Sequence, residues 1–354
     1  MRIFFMAVFA ITALFSSVPN TTKELQDKMA LQNAQNMFIR AIELHDANQT
    51  DKTIEAYREL IDKFENSTNR EIKTITAQAM FNLALEYSNA GNIEAENRLY
   101  GQIISKFANL NDTTIETITA NSFFNQALIA YPINDTKGEM QIYEKFIERF
   151  RNTNNENISI ILANVMANLG YVYAKEDKKS EAIDIYNEFI YKFEDSKNEY
   201  VQILFAGSLL NLSVIHIEMG ELKDGLASYQ RLIEQFKNSA NHDILQKVGA
   251  AVTNKIELEI CNDIKPSFND ENKKLADKSE YSAFMYEFLQ IIHLNTRQID
   301  KLNAWRDKYS HISFKKMDVD FDFSDLDRWV KQLKNPKRKW VQECIDALKE
   351  FGDK

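Results

Sequence analysis

The chain has 354 residues and a formal net charge of −9, and only 9 of its residues are Gly and 4 are Pro. An average chain carries about 12% Gly plus Pro, and the tight turns of all-β and doubly wound α/β folds depend on them, so this composition points to long helices joined by polar loops. The acidic excess lies in residues 1–254, because residues 255–354 hold 19 acidic and 19 basic side chains; an acidic body argues against nucleic acid as a partner, since phosphate binding needs a basic face.

The N-terminus reads Met1-Arg2, then Ile3 to Phe15 almost wholly apolar, then Ser16, Ser17, Val18 and Pro19. A basic start, a short apolar stretch and small residues near a cut are the parts of an export signal. As a helix the apolar stretch rises only about 20 Å, short of a roughly 30 Å hydrocarbon core. Residues 1–18 are therefore expected to direct export to a periplasmic or secreted location, the alternatives being an uncleaved N-terminal anchor and a plain first helix. No later stretch reads as long and apolar enough to span a membrane.

From about residue 27 the sequence repeats. Tyr57, Tyr100, Tyr143, Tyr186 and Tyr229 stand 43 residues apart. Phe64, Phe107, Phe150, Phe193 and Phe236 keep the same step, as do Ala34, Ala77, Ala120, Ala163 and Ala206. Ile72, Ile115, Ile158, Val201 and Ile244 form another series, and Asn82, Asn125, Asn168, Asn211 and Asn254 a further one. Within a unit the apolar spacing is helical: Tyr186, Phe189, Ile190 and Phe193 fall on one stripe, and Ile158, Leu162, Val165, Met166, Leu169 and Tyr173 mark a second helix upstream. Each unit is thus predicted to be a hairpin, with a first helix of about 19 and a second of about 15 residues. Gly91 and Gly220 sit in comparable turns, where positive φ is expected. One hairpin cannot bury its apolar face alone, so the units must stack. The array is expected over residues 27–258, as five full hairpins and the first helix of a sixth.

Ala163, Met166, Asn168-Leu169-Gly170 and Tyr173, followed by Ala182, Tyr186 and Phe189, resemble the tetratricopeptide repeat. Ala77, Met80, Asn82-Leu83-Ala84 and Tyr87 repeat the order, and Ala206, Leu209 and Asn211-Leu212-Ser213 follow it more loosely. The unit departs from the family's usual length by a longer first helix, and Pro is missing at its end. The resemblance implies an all-α, right-handed α-solenoid of stacked helical hairpins. It also implies a concave face that binds a protein or peptide. Mapped onto this chain, the peptide-binding candidates are Phe38, Phe81, Phe124 and Leu210 in one row, and Tyr171 in the next row with Ile42, Leu85, Leu128 and Val214. Asn82, Asn125, Asn168 and Asn211 join them, either bonding a ligand backbone or tying adjacent hairpins together. The apolar row either lines a groove or packs as core. At the row where chaperone-binding members place Lys or Arg, this chain has Gln78, Asn121, Asn164 and Gly207, which argues against clamping a terminal carboxylate.

Residues 259–354 are expected to form a non-repetitive helical cap. Ser279 to Tyr309 is predicted as one long helix, Ser324 as the N-cap of another through Leu333, and Asn335-Pro336 as the break before a last helix. Cys261 and Cys344 could pair in an oxidising compartment or remain two buried thiols. Asp318, Asp320 and Asp322 open like a calcium loop, but Phe323 and Trp329 stand where Gly and Glu are needed. No metal-binding, nucleotide-binding or nucleophile motif occurs, so no cofactor and no catalytic residue is expected. The expected function is a non-enzymatic protein–protein interaction scaffold. The alternatives are a secretion or assembly chaperone for exported clients and an enzyme with its activity in the C-terminal region.

Overall fold

The computed structural model describes residues 22–107, 110, 112–130, 135–294, 296–317 and 321–354, and the expected export signal lies outside them. Every regular element among the described residues is an α-helix. The chain divides into two compact units, the first ending at Val172 and the second beginning at Tyr173.

The first unit holds α1 (Thr22–Asp46), α2 (Thr50–Phe64), α3 (Arg70–Asn89), α4 (Ile93–Phe107), α5 (Thr113–Ala130) and α6 (Thr136–Phe150), and most of α7 (Glu156–Lys175). Odd and even helices pair as hairpins, α2 packs on α3 and α4 on α5, and α1, α3 and α5 also touch in succession. The second helix of each hairpin is 15 residues long and ends on the Phe series. Its buried stripe is Tyr57, Leu60 and Phe64 in α2, then Tyr100, Ile103 and Phe107 in α4, then Tyr143, Phe146 and Phe150 in α6. This is the amphipathic stripe expected of a helix that covers one face of a core.

The second unit continues with α8 (Lys179–Phe193), α9 (Glu199–Glu218), α10 (Leu222–Phe236) and α11 (His242–Cys261), where α9 packs on α8, α10 and α11. The sixth hairpin is cut short, since α12 (Asp270–Ala276) has only 7 residues. Gly249 of α11 lies against α13 (Glu280–His293), where an added Cβ would stand 2.9 Å from Ser282 Oγ, so glycine permits the close approach. The cap is completed by α14 (Ile299–Lys308), α15 (Ser324–Gln332) and α16 (Lys337–Gly352).

The repeat also governs caps and turns. Asn69, Asp112, Asn155, Asn198 and Asn241 stand 43 residues apart, and each side chain accepts the backbone N–H three residues on, at 3.0 to 3.3 Å. Those N–H groups belong to Ile72, Ile115, Ile158, Val201 and Ile244, so that apolar series marks the first turn of every long first helix. Among the described residues, the turns of the hairpins other than α5–α6 share one left-handed residue, Asn48, Gly91, Asp177, Gly220 and Asp263, with φ between 53° and 80°. Glycine, Asn and Asp are the residues that tolerate this conformation most readily.

Three expectations need correction. Ser279 to Tyr309 is two helices, because the chain leaves helical geometry at Leu294 and α14 starts at Ile299. The break lets Trp305 fold back on Phe284, ring centroids 4.7 Å apart, with its Nε1 donating to the Phe284 carbonyl at 3.1 Å. In one straight helix those residues would be about 31 Å apart. Asp322, not Ser324, serves the start of α15: it accepts from Ser324 N at 2.7 Å and Ser324 Oγ at 2.8 Å. Those bonds hold its carboxyl below the usual range. Asp318 and Asp320 lie outside the described residues. Finally, α7 and α9 are each long and apolar enough to cross a membrane. Most of the apolar stretch of α7 is buried, and a little under half of that of α9, which packs on three neighbouring helices.

Candidate binding face of the repeat array

The first helices carry the candidate positions, and in the first unit the aromatic row faces inward. Phe38, Phe81 and Phe124 are all buried. The Phe38 ring lies 6.0 Å from Tyr57 and the Phe81 ring 5.8 Å from Tyr100, so each fills the interior of its own hairpin. The expectation that these three rings line an open groove is therefore corrected: a ring at this position is long enough to reach the second helix and join the core. At the same register Ala167 and Leu210 are half-buried.

One turn further along, the row opens. Ile42, Leu85 and Leu128 are half-buried in the first unit, and Tyr171 there is 51% exposed. In the second unit Val214 occupies the row and is 43% exposed. Glu257 follows it on α11. Burial, with Asp325 and Asp322 nearby, pushes its carboxyl up to about 8, so it is mostly neutral at pH 7.

The asparagine amides are engaged within the protein. Asn82 Nδ2 donates to Tyr57 Oη at 3.1 Å, Asn125 to Tyr100 at 3.1 Å and Asn168 to Tyr143 at 3.4 Å. Asn211 donates to Tyr186 at 3.0 Å and Asn254 to Tyr229 at 3.4 Å. Each amide thus reaches back to the tyrosine of the preceding hairpin, and of the two readings it is the tie between hairpins that the geometry carries. Burial pushes the Tyr57 and Tyr229 hydroxyls up to about 12 and raises Tyr143 further, which keeps each phenol neutral. Asn168 Nδ2 also donates to Asn164 Oδ1 at 3.2 Å, and Asn121 Nδ2 to the Thr117 carbonyl at 3.0 Å. The row that would hold a carboxylate clamp is thereby partly closed by its own bonds.

The first unit also holds a polar pair at the end of α1, where His45 Nδ1 lies 2.5 Å from Glu86 Oε1. In the second unit His216, Glu221 and Asp224 bring their ligand atoms within 4.8 Å of one another at the α9–α10 turn. The His216 imidazole there already contacts Glu221 Oε2 at 2.6 Å. Cys261 and Cys344 are both free thiols. Cys261 Sγ lies 3.9 Å from the Asp325 carbonyl, and Cys344 is buried.

Sequence reasoning passed over the capping series of Asn69 and its equivalents. The signal was present, as Asn or Asp three residues before each member of the Ile72 series.

Residues 165–196 and 208–239 match the tetratricopeptide repeat family model, and the two segments start 43 residues apart, on the period of the chain. No curated protein matches. Among solved structures, BtubC (BKLC) from P. vanneervenii is similar at 13% identity and a TM-score of 0.46, over 71% of this chain and 93% of that one. The apo form of RapI is similar at 14% identity and a TM-score of 0.43, over 90% of this chain and 99% of that one. TTC0263, a thermophilic TPR protein in Thermus thermophilus, is similar at 13% identity and a TM-score of 0.29, over 62% of this chain and 98% of that one. Over these matched residues the repeats are of the tetratricopeptide type, and they lie in hairpins of two helices that keep the period of the chain.

Proposed function

We propose that this protein is an exported interaction scaffold that binds a protein or peptide partner along its first-helix row. The observation that supports the reading is the half-exposed apolar row of the first unit: Ile42, Leu85, Leu128 and Tyr171. Buried Phe and Tyr rings behind the row hold its backbone in place, while the row offers aliphatic and aromatic surface to an apolar peptide or the apolar face of a helix. The face they form is read as the concave one by family resemblance. Export rests on the basic and apolar pattern of residues 1–18.

A photo-crosslinking amino acid at position 85 or 128, with the full chain in its own cells, tests the binding face. Discrete adducts are expected at these positions and are expected to be missing from a control at exposed Glu55. Equal labelling at all three positions would refute the row as the binding face. N-terminal sequencing of the mature protein tests export, and a protein that still began at Met1 would count against cleavage.

A further inference from the structure

The segment joining α15 to α16 concentrates positive charge in an acidic chain. Lys331, Lys334, Lys337, Arg338 and Lys339 fall within nine residues, and no acidic residue occurs from 328 to 342. Four of the five are exposed and Lys337 is half-buried. Several cations near this segment meet carboxylates: Arg297 lies 2.8 Å from Glu343, Lys308 2.7 Å from Glu287 and Lys349 3.0 Å from Asp327. Among the described residues none of the five has an ion-pair partner of this kind. The first turn of α16 carries no acid and its N-terminus has no side-chain cap, so the positive end of the helix adds to the same field.

Each of the two helices also carries a buried donor without a partner. Trp329 of α15 and Trp340 of α16 are 3% and 4% exposed, and the Nε1 of each is buried without a hydrogen-bond partner. The Lys337 ammonium stands over the Trp329 ring at 5.8 Å, so that ring lies beside the cationic segment. Five cations in one place, with no carboxylate among them in sequence, favour an anionic group from outside.

We propose that the α15–α16 segment docks a short acidic stretch of a protein partner, whose carboxylates pair with Lys331, Lys334, Lys337, Arg338 and Lys339. Size and charge favour this occupant over a membrane or a nucleic acid. The basic segment is small, and without its five cations the chain is more acidic than its net −9. A planar lipid surface or a long polyanion extends well past a Debye length of about 8 Å and would meet that acidic remainder. A short peptide meets only the patch.

The test is a fluorescence titration of the full chain with a fluorescein-labelled octaglutamate peptide, repeated at rising salt. Binding is expected at low salt, weakening as salt rises, with a change in tryptophan emission from Trp329. Replacing Lys337, Arg338 and Lys339 with Gln should weaken it by about tenfold or more at unchanged helical circular dichroism. If those changes unravel α16, Lys331→Gln with Lys334→Gln provides a second variant outside that helix, with the same direction expected. Neutralising Lys23, Lys28 and Lys52, exposed on α1 and α2, should leave binding as it was. No binding by the wild-type chain, or binding by both patch variants as tight as that of the wild type, overturns the proposal. So does tighter binding to phosphatidylglycerol vesicles or single-stranded RNA than to the peptide.

Discussion

Asn211 Nδ2 donates to Tyr186 Oη at 3.0 Å, across 25 residues of chain and from one hairpin to the next. The same pair occurs at Tyr57 and Asn82, Tyr100 and Asn125, Tyr143 and Asn168, and Tyr229 and Asn254. Because the separation is shorter than the repeat, each bond ties a second helix to the first helix that follows it. Two of the periodic series in the sequence are therefore the two halves of one interaction.

Breaking that interaction on one side should cost more than removing it. Tyr57 is buried, so Asn82→Ala takes away its bonded amide and is expected to destabilise the first unit by about 1–2 kcal/mol. Tyr57→Phe combined with Asn82→Leu removes both polar partners and should cost less than the two single changes added together. Urea denaturation followed by circular dichroism measures this. Simple additivity would show that the two side chains do not interact.

The two apolar rows should respond in opposite ways. Phe81→Ala empties a filled hairpin interior and is expected to lower stability by about 3–5 kcal/mol. Leu85→Glu alters a half-exposed position one turn away and should leave the helical signal near wild type while weakening partner capture. If Leu85→Glu unfolds the protein, the row belongs to the core.

The thiols should be slow to react in the folded protein. Burial pushes the Cys344 thiol up to about 12, and burial with nearby Glu257 and Asp325 raises that of Cys261 as well. Both are thus almost wholly protonated at pH 8, and the thiolate is the reactive form. Labelling with an aromatic disulfide reagent at pH 8 is expected to be slow in buffer and rapid in denaturant. A count of two titratable thiols without added reductant would also establish that they are unpaired in solution.

Glu257 predicts a pH dependence of the second unit. Its carboxyl is raised from 4.5 to about 8 in the folded protein, so between those values the folded state holds a proton that the unfolded chain has lost. The folded state then binds more protons, and stability falls as pH rises across that window. Below about 4.5 the penalty vanishes, and above about 8 it no longer grows. Glu257→Gln should flatten this part of the Tm–pH profile and raise Tm at pH 8 by a few degrees. An unchanged slope between pH 5 and 8 would mean that the carboxyl titrates normally.

The first half of the molecule was legible because repetition supplies its own controls. Five tyrosines at one spacing fix the second-helix stripe, and Gly91 with Gly220 mark the left-handed turn that Asn48, Asp177 and Asp263 also adopt. The cap had no such controls. Ser279 to Tyr309 keeps a helical apolar spacing throughout, and the break at Leu294 follows from contacts between Phe284 and Trp305, which no local pattern encodes.

The sequence by itself determined the period, the hairpins, their lengths and the residues that share each helix face. These depend on spacing along one chain, and helical geometry converts spacing into a face. Only the tertiary structure decided which face is covered. Phe81 and Leu85 lie on the same side of α3, one turn apart, yet the first is buried by Tyr100 and the second stays half-open. Likewise an asparagine on a helix face can serve a ligand or a neighbour, and the tyrosine hydroxyl 25 residues upstream settles which. Burial is a property of what packs against a side chain, and that partner is set by the stacking of hairpins.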